Sequence, residues 1–240
     1  MKKLKIGIIG VGRLGYEHAC NIANRVPGSE LVAIADANFD RAKQVAEELG
    51  VTAVYNDPKD LCADPNVEAV AIITNTASHV EMIKIAMDAG KHVFCEKPLA
   101  DTVEKCKEAE AIIAAHPELT FMLGFMRRYD HSYQVAKKKM ENGDIGDVIL
   151  VRCYSQDPIS IIEGTLEYAP RSGGQFIDMS IHDFDLIRWL TGSEVKELWA
   201  RINRKHAYTV SFSDDELRRK SIERINSDLR VSRLQYTLTV

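Results

Sequence analysis

Two patterns of apolar residues alternate through the first 120 positions. Short apolar runs read as strands, and stretches with apolar residues three and four apart read as helices. Lys5-Ile6-Gly7-Ile8-Ile9-Gly10 is a strand entering glycines, followed by a helix from about Leu14 to Arg25. Glu30 to Ala35 is the second strand, and Asp40 to Leu49 is helical with Gly50 as its stop. Thr52 to Tyr55 is a weak third strand. Ala69 to Ile73 is the fourth, its unbroken apolar run suiting a parallel strand buried on both faces. A helix over Val80–Met87 stops at Gly90, His92–Cys95 is the fifth strand, Val103–Ala115 is helical, and Thr120–Phe125 is the sixth strand. Repeated β-α-β units of this length imply a parallel sheet with helices on both sides.

After Phe125 the pattern changes. Ser132 to Glu141 predicts a basic helix, Asn142 to Gly146 a turn, and the alternation of Asp147 to Tyr154 a half-buried strand. Gln156 to Ser172 has no clear period and is expected to be a loop. Gly173-Gly174 opens a predicted helix to Leu190, stopped at Gly192, and Val195 to Ala200 is a further strand.

Composition narrows the class. Of 240 residues, 45% are hydrophobic and 28% charged, which excludes wholesale disorder and leaves one or two globular domains. No apolar run approaches the roughly 18 residues of a membrane span. The basic start, Met1 to Lys5, leads into a strand and not into a signal-peptide core, so a cytoplasmic location is expected. Five scattered cysteines without a C-x-x-C argue against a disulfide framework or a zinc site. A net charge of −4 gives no pointer to nucleic acid or to a membrane surface.

Candidate chemistry sits where the strands end. Gly10-Val11-Gly12-Arg13-Leu14-Gly15 fits G-x-G-x-x-G between a strand and a helix, the context that separates a dinucleotide cradle from a plain β-α turn. The first glycine makes the turn, the second admits a pyrophosphate, and the third lets helix and strand pack closely. Asp36 ends the second strand, where a carboxylate accepts hydrogen bonds from ribose hydroxyls and repels a 2′-phosphate; this favours NAD over NADP, with nearby Arg41 pulling the other way. Thr74, Asn75 and His79 follow strand four, where they either meet the cofactor or cap the next helix, as Ser78 also can. Glu96-Lys97-Pro98 follows strand five, and Lys97 there is either a cation fixed in the cleft or a surface lysine. Asp178 and His182, four apart on the predicted helix, share a face on which either moves a proton near neutral pH. Asp183 and Asp185 are expected to point elsewhere.

Taken together these residues resemble the Gfo/Idh/MocA oxidoreductases, especially the inositol 2-dehydrogenase-like members. The resemblance is carried by Ile8 to Gly15, Thr74 to His79, Gly90 to Val93 with Glu96-Lys97-Pro98, Gly124 to Asp130, and Gly173 to Asp183 followed by Asp185-Leu186. It covers about residues 4–200. It implies an α/β chain: a Rossmann NAD-binding domain over 1–122, then the first part of an α+β domain with an open sheet over 123–200. It further implies NAD-dependent oxidation of a secondary hydroxyl of a cyclic polyol or sugar, and a homo-oligomer (dimer or tetramer) in which neither nucleic acid nor membrane takes part. The implied cofactor residues are Gly10, Gly12, Arg13, Leu14, Gly15, Asp36, Thr74, Asn75, His79, Glu96 and Lys97. Lys97, Asp178 and His182 form the implied catalytic set, with Arg127 and Asp157 beside them at the substrate, no metal, and a cis bond between Lys97 and Pro98.

The resemblance fades after about residue 200. Residues 201–240 hold nine basic against five acidic side chains, whereas 1–200 hold 22 against 30; seven of 15 arginines fall in this tail, and no glycine or proline does. A tail read out of frame is the simplest expectation, and a divergent tail the alternative. Other sugar dehydrogenases of the same family, or a non-catalytic NAD-binding fragment, are the competing functional readings.

Overall fold

A computed structural model describes residues 2–155, 175–195, 197–201 and 235–239. The chain divides into two compact units, Met1–Met126 and Arg127–Val240.

In the first unit six strands form one parallel sheet: β1 (Leu4–Ile9), β2 (Ser29–Ala35), β3 (Ala53–Tyr55), β4 (Ala69–Ile72), β5 (His92–Cys95) and β6 (Phe121–Leu123). Their order is β3-β2-β1-β4-β5-β6, so the sheet reverses direction of growth at β1. The connecting helices are α1 (Arg13–Asn24), α2 (Phe39–Leu49), α3 (Pro58–Ala63), α4 (His79–Asp88) and α5 (Val103–Ala114). Strand alternation divides the core in two. Ile8, Ile34 and Ala71 join Ala19 of α1 and Ala42, Val45 and Ala46 of α2 on one face. Ile9, Ala35, Val70 and Ile72 join Leu61, Ile83, Met87 and Ala109 of α3, α4 and α5 on the other. Each fully buried aliphatic side chain contributes about 1.5–3 kcal/mol.

Local signals set the helix ends. Asn38 caps α2 by accepting from Arg41 N at 3.1 Å, and Gly50 ends it in the left-handed conformation. Thr102 caps α5 through Lys105 N at 3.2 Å. The expected strands and helices of residues 1–125 form, with ends shifted by a few residues. Two elements go beyond the expectation: a 3-10 turn over Thr76–Ser78, and α3, which Asp57 caps through Lys59 N at 2.8 Å with Pro58 in its first turn.

The second unit holds α6 (His131–Glu141), α7 (Gln175–Asp178), α8 (Ile181–Thr191) and an antiparallel pair, β7 (Glu197–Arg201) with β8 (Gln235–Thr239). Asp130 caps α6 through Ser132 N and Tyr133 N, and Gly192 ends α8 in the left-handed conformation. Two expectations are corrected. Residues 147–154 form no strand: their alternation asks for a neighbouring strand, none pairs with them among the described residues, and Ile149 stands 95% exposed. The helix predicted from Gly173 to Leu190 is two helices. Met179 and Ser180 form a turn, and His182 N–H donates to Met179 O three residues back, which ends the regular four-residue ladder at that point. The loop expected over 156–172 lies outside the described residues, as do Gly173 and Gly174.

Candidate active site

The reversal of strand order at β1 opens a crevice at the carboxyl ends of β1 and β4, where ligands bind in sheets of this kind. Gly10 lies there with φ +90°, and a Cβ on it would fall 2.6 Å from the carbonyl oxygen of Ile73 at the end of β4. A Cβ on Gly15 would fall 2.0 Å from Gly10 O, so only glycine lets α1 pack against the turn. Gly12 is the opposite case. It is exposed, and a Cβ there would meet nothing within 4 Å. Gly12 is also the N-cap of α1 and offers no side chain to the free N–H groups of the first turn. Those groups, the helix dipole and the open approach over Gly12 fit a pyrophosphate. Arg13 and Leu14 are exposed in that first turn.

Asp36 stands immediately after β2, half-buried. Its Oδ2 accepts from Val11 N at 2.7 Å and its Oδ1 from Asn38 N at 2.8 Å. The carboxylate therefore ties the glycine turn to β2 and keeps a second lone pair on each oxygen for a ribose hydroxyl. Arg41 is drawn to the same turn: its Nε donates to Val11 O at 3.1 Å, and its guanidinium lies 5.1 Å from the centre of the Tyr16 ring. These residues fit NAD, with the Asp36 carboxylate fixed after β2 and the Arg41 guanidinium turned back onto Val11 and Tyr16.

After β4, Ser78 Oγ donates within the turn to Thr74 Oγ1 at 2.8 Å and lies 2.9 Å from Asn75 O, while the Asn75 side chain is exposed and makes no cap bond. His79, expected at the cofactor, needs correcting. It is 1% exposed, with Nδ1 2.8 Å from Pro98 O and Nε2 3.3 Å from Thr74 O. Both ring nitrogens face backbone carbonyls, so His79 joins the turn after β4 to the turn after β5 and presents no atom to a ligand.

Lys97 follows β5 and is half-buried, and its bond to Pro98 is cis, as the resemblance implies. Its N–H donates to its neighbour Glu96 at 3.0 Å, and the other Glu96 oxygen lies 2.9 Å from His18 Nε2. Burial works against ionisation of Glu96. The His18 hydrogen bond and charge, and the N–H and charge of Lys97, outweigh it and hold the carboxyl below its usual range. Nothing in the motif reading pointed to His18. A signal was present, since Gly15, His18, Ala19 and Ile22 share one face of α1, and Gly15 and Ala19 there are buried.

In the second unit Asp178 ends α7 and His182 lies in the first turn of α8, both half-buried. The turn at Met179 and Ser180 falls between them. Asp183 and Asp185, expected to point elsewhere, are the buried acids of α8. Asp183, 1% exposed, pairs with Arg127 and accepts from Ser155 Oγ at 2.7 Å, while Arg127 also donates to Ser155 Oγ at 2.9 Å. Asp185 takes a two-pronged bond from Arg128, at 2.8 Å from Nε and 2.5 Å from Nη2, and this pairing raises the guanidinium's pKa. Arg127, expected at the substrate, thus has Asp183 and Ser155 as partners. Asp157 lies outside the described residues.

Among the described residues no cluster of histidine, cysteine and acid groups suits a metal ion, and no helix is long and apolar enough to cross a membrane. Burial pushes the thiols of Cys62 and Cys153 up to about 11, which leaves them protonated and poor nucleophiles at neutral pH.

A doubly wound sheet with a glycine cradle and an acid after β2 defines the class, a dinucleotide-binding α/β protein. Residues 4–125 match the family model described as an oxidoreductase family with an NAD-binding Rossmann fold, and residues 133–218 match the Gfo/Idh/MocA C-terminal domain. The chain belongs to the Gfo/Idh/MocA oxidoreductase family. It is similar to a myo-inositol 2-dehydrogenase of Thermotoga maritima, 41% identical over 204 residues that cover 82% of this chain and 58% of the relative. A scyllo-inositol 2-dehydrogenase (NAD(+)) of Bacillus subtilis is 40% identical over 80% of this chain and 55% of its own length. Among solved structures, the scyllo-inositol dehydrogenase of Lactobacillus casei with bound NAD(H) and scyllo-inositol superposes with a TM-score of 0.79 at 39% identity, over 92% of this chain and 63% of that one. The chain therefore spans a little over half the length of the relatives it matches.

Proposed function

We propose that this chain serves an NAD-dependent dehydrogenase that oxidises a secondary hydroxyl of a cyclic polyol, of the inositol type, to the ketone. The observation that carries the reading is the joint presence of Glu96-Lys97-Pro98 and Gly173-Gly174-x-x-x-Asp178-x-x-x-His182-Asp183 in a chain 41% identical to a protein named myo-inositol 2-dehydrogenase. Gly10, Gly12, Gly15 and the α1 N-terminus hold the pyrophosphate, and Asp36 holds the adenosine ribose. Arg13, Leu14, Thr74, Asn75 and Lys97 belong to the same cofactor set. Bound NAD supplies the two-electron acceptor that takes the hydride from the hydroxyl-bearing carbon. Three residues of this chain do the rest.

The His182 imidazole takes the hydroxyl proton, the general-base role for which this side chain is most often used. The Lys97 ammonium hydrogen-bonds the same oxygen and steadies the negative charge that grows on it. Asp178 orients the substrate or the lysine. Arg127 and Asp157 contact neighbouring hydroxyls, Arg127 through donors that Asp183 and Ser155 leave available. A cytoplasmic, homo-oligomeric enzyme completes the reading, in keeping with five free cysteines.

The test is NADH formation from a panel of inositols, other cyclic polyols and aldoses, with Lys97→Met and His182→Ala beside the parent chain. Turnover of an inositol, lost by about 10²–10⁴-fold in His182→Ala while NADH still binds, is the expected result. Turnover confined to aldoses points to a sugar dehydrogenase instead. NADH binding without turnover of any alcohol points to a nucleotide-binding fragment.

A further inference from the structure

Behind the turn that carries Lys97 lies a hydrogen-bonded pair, His18 and Glu96, for which the proposed chemistry has no use. The Glu96 carboxylate is gripped from three sides. His18 Nε2, arriving from α1, lies 2.9 Å from Oε1, and the N–H of Lys97 donates to Oε2 at 3.0 Å. Gly124, beyond β6, forms the third wall: a Cβ there would lie 3.1 Å from Oε2. The two side chains are only 26% and 15% exposed, and the His18 ring leans on Phe94 with centroids 5.6 Å apart. An ionised carboxylate only accepts, so both neighbours donate to it, and hydrogen bonds to a charged acceptor are the strong ones.

Burying a carboxylate costs several kcal/mol unless partners compensate it. A packing role at this place is met more cheaply by an apolar side chain. What the hydrogen-bonded pair adds is a link between two parts of the site. α1 presents its N-terminus to the cofactor phosphates, and its His18 holds the carboxylate that holds the backbone of Lys97.

We propose that His18 and Glu96 are positioning residues that register the Lys97 turn against the cofactor-binding helix. His18 acts through Glu96 and touches no reacting atom. Glu96, placed in the cofactor set by resemblance, works from behind the turn. This inference rests on the reading of Lys97 as a catalytic residue.

The test compares His18→Asn, whose amide is too short to reach Glu96, with His18→Gln, which keeps a donor at nearly the reach of Nε2. Glu96→Gln is the partner variant. Three readouts are taken on the full chain: the amide proton resonance of Lys97 in ¹⁵N-labelled protein, NADH affinity by fluorescence, and kcat against KM for an inositol. The Lys97 amide proton, bonded to a carboxylate, is expected downfield. It moves upfield in His18→Asn and Glu96→Gln and stays near its parent position in His18→Gln. NADH binding falls about tenfold in His18→Asn, the scale of one charge-assisted hydrogen bond, and His18→Gln recovers most of it. The expected kinetic change is in kcat more than in KM.

An unmoved Lys97 amide in His18→Asn overturns the proposal, and so does equal loss in His18→Asn and His18→Gln, because a packing role alone does not distinguish a donor. Failure of the underlying reading looks different. Lys97→Met then retains turnover, while the Lys97 amide of the parent chain still responds to His18.

Discussion

The two units handle their apolar residues in opposite ways. In the first, every strand from β1 to β6 is hydrogen-bonded to a neighbour, and alternate residues enter one of two closed clusters. In the second, Ile145, Ile149, Leu150 and Tyr154 are exposed, while the most deeply buried side chains of α8 include two aspartates. The difference is one of range. Four of the first unit's five strand pairings join residues about 20–30 positions apart and only β1 with β4 reaches further, so the sequence of this unit carries most of its own closure. The 147–154 segment has the alternation of a strand, but a strand is completed only by another strand.

The sharpest way to break this comparison is at the buried acids. Asp183→Ala leaves Arg127 and Ser155 facing an empty partner, and removing one member of a buried pair costs about 3–5 kcal/mol. Hydrogen exchange is expected to accelerate across α6 and α8 and to stay unchanged in β1 and β4. Equal acceleration in both units would contradict a loss that begins at Asp183.

Within the first unit the glycines offer a matched pair. Gly15→Ala drives a Cβ to 2.0 Å from a backbone oxygen and is expected to cost about 3 kcal/mol, the upper end of overpacking costs. Gly12→Ala meets nothing within 4 Å and is expected to leave the melting temperature almost unchanged while weakening NADH binding. Denaturant titration and NADH fluorescence separate the two effects. A Gly12→Ala chain that binds NADH like the parent would remove Gly12 from the cradle.

Glu96 gives a pH-dependent effect. Its carboxyl is held below the usual carboxylate range, so the folded state favours the charged form. The stabilisation is present above the unfolded-state value near 4.3 and is lost as pH falls through the lower folded-state value. Glu96→Gln should therefore flatten the acid limb of a stability profile below about pH 4.3 and leave its slope above pH 6 unchanged. A parallel shift of the whole profile would assign the loss to packing. The smallest effect is expected at Ile149→Lys, a change on an almost fully exposed side chain worth less than about 0.5 kcal/mol. A larger loss would mean that this segment is covered in solution.

How much of this was legible in the sequence follows the same division of range. The sheet and the glycine cradle depend on contacts along the chain and were readable from strand runs, Gly10, Gly12, Gly15 and Asp36. Polar pairs between distant segments left weaker traces. His79 stood among cofactor candidates because it follows Thr74 and Asn75, yet its partner Pro98 O is reached only once β4 and β5 lie side by side. Resemblance places Arg127 at the substrate and the helical reading turns Asp183 and Asp185 elsewhere, and only folding joins Arg127 to Asp183 and Arg128 to Asp185 as two ion pairs. The continuous helix read across Asp178 and His182 is interrupted because a turn, invisible to periodicity, separates α7 from α8.

The central claim is that the first unit carries the NAD site. A thermal melt of the 240-residue chain without ligand, with NAD and with NADP tests it most directly. At about 100 times its dissociation constant a ligand adds about 2.7 kcal/mol. For a unit of this size that raises the midpoint by on the order of 10 °C. The account predicts a cooperative transition that rises by this amount with NAD and far less with NADP. A transition that neither dinucleotide moves, or that NADP moves more, would contradict it.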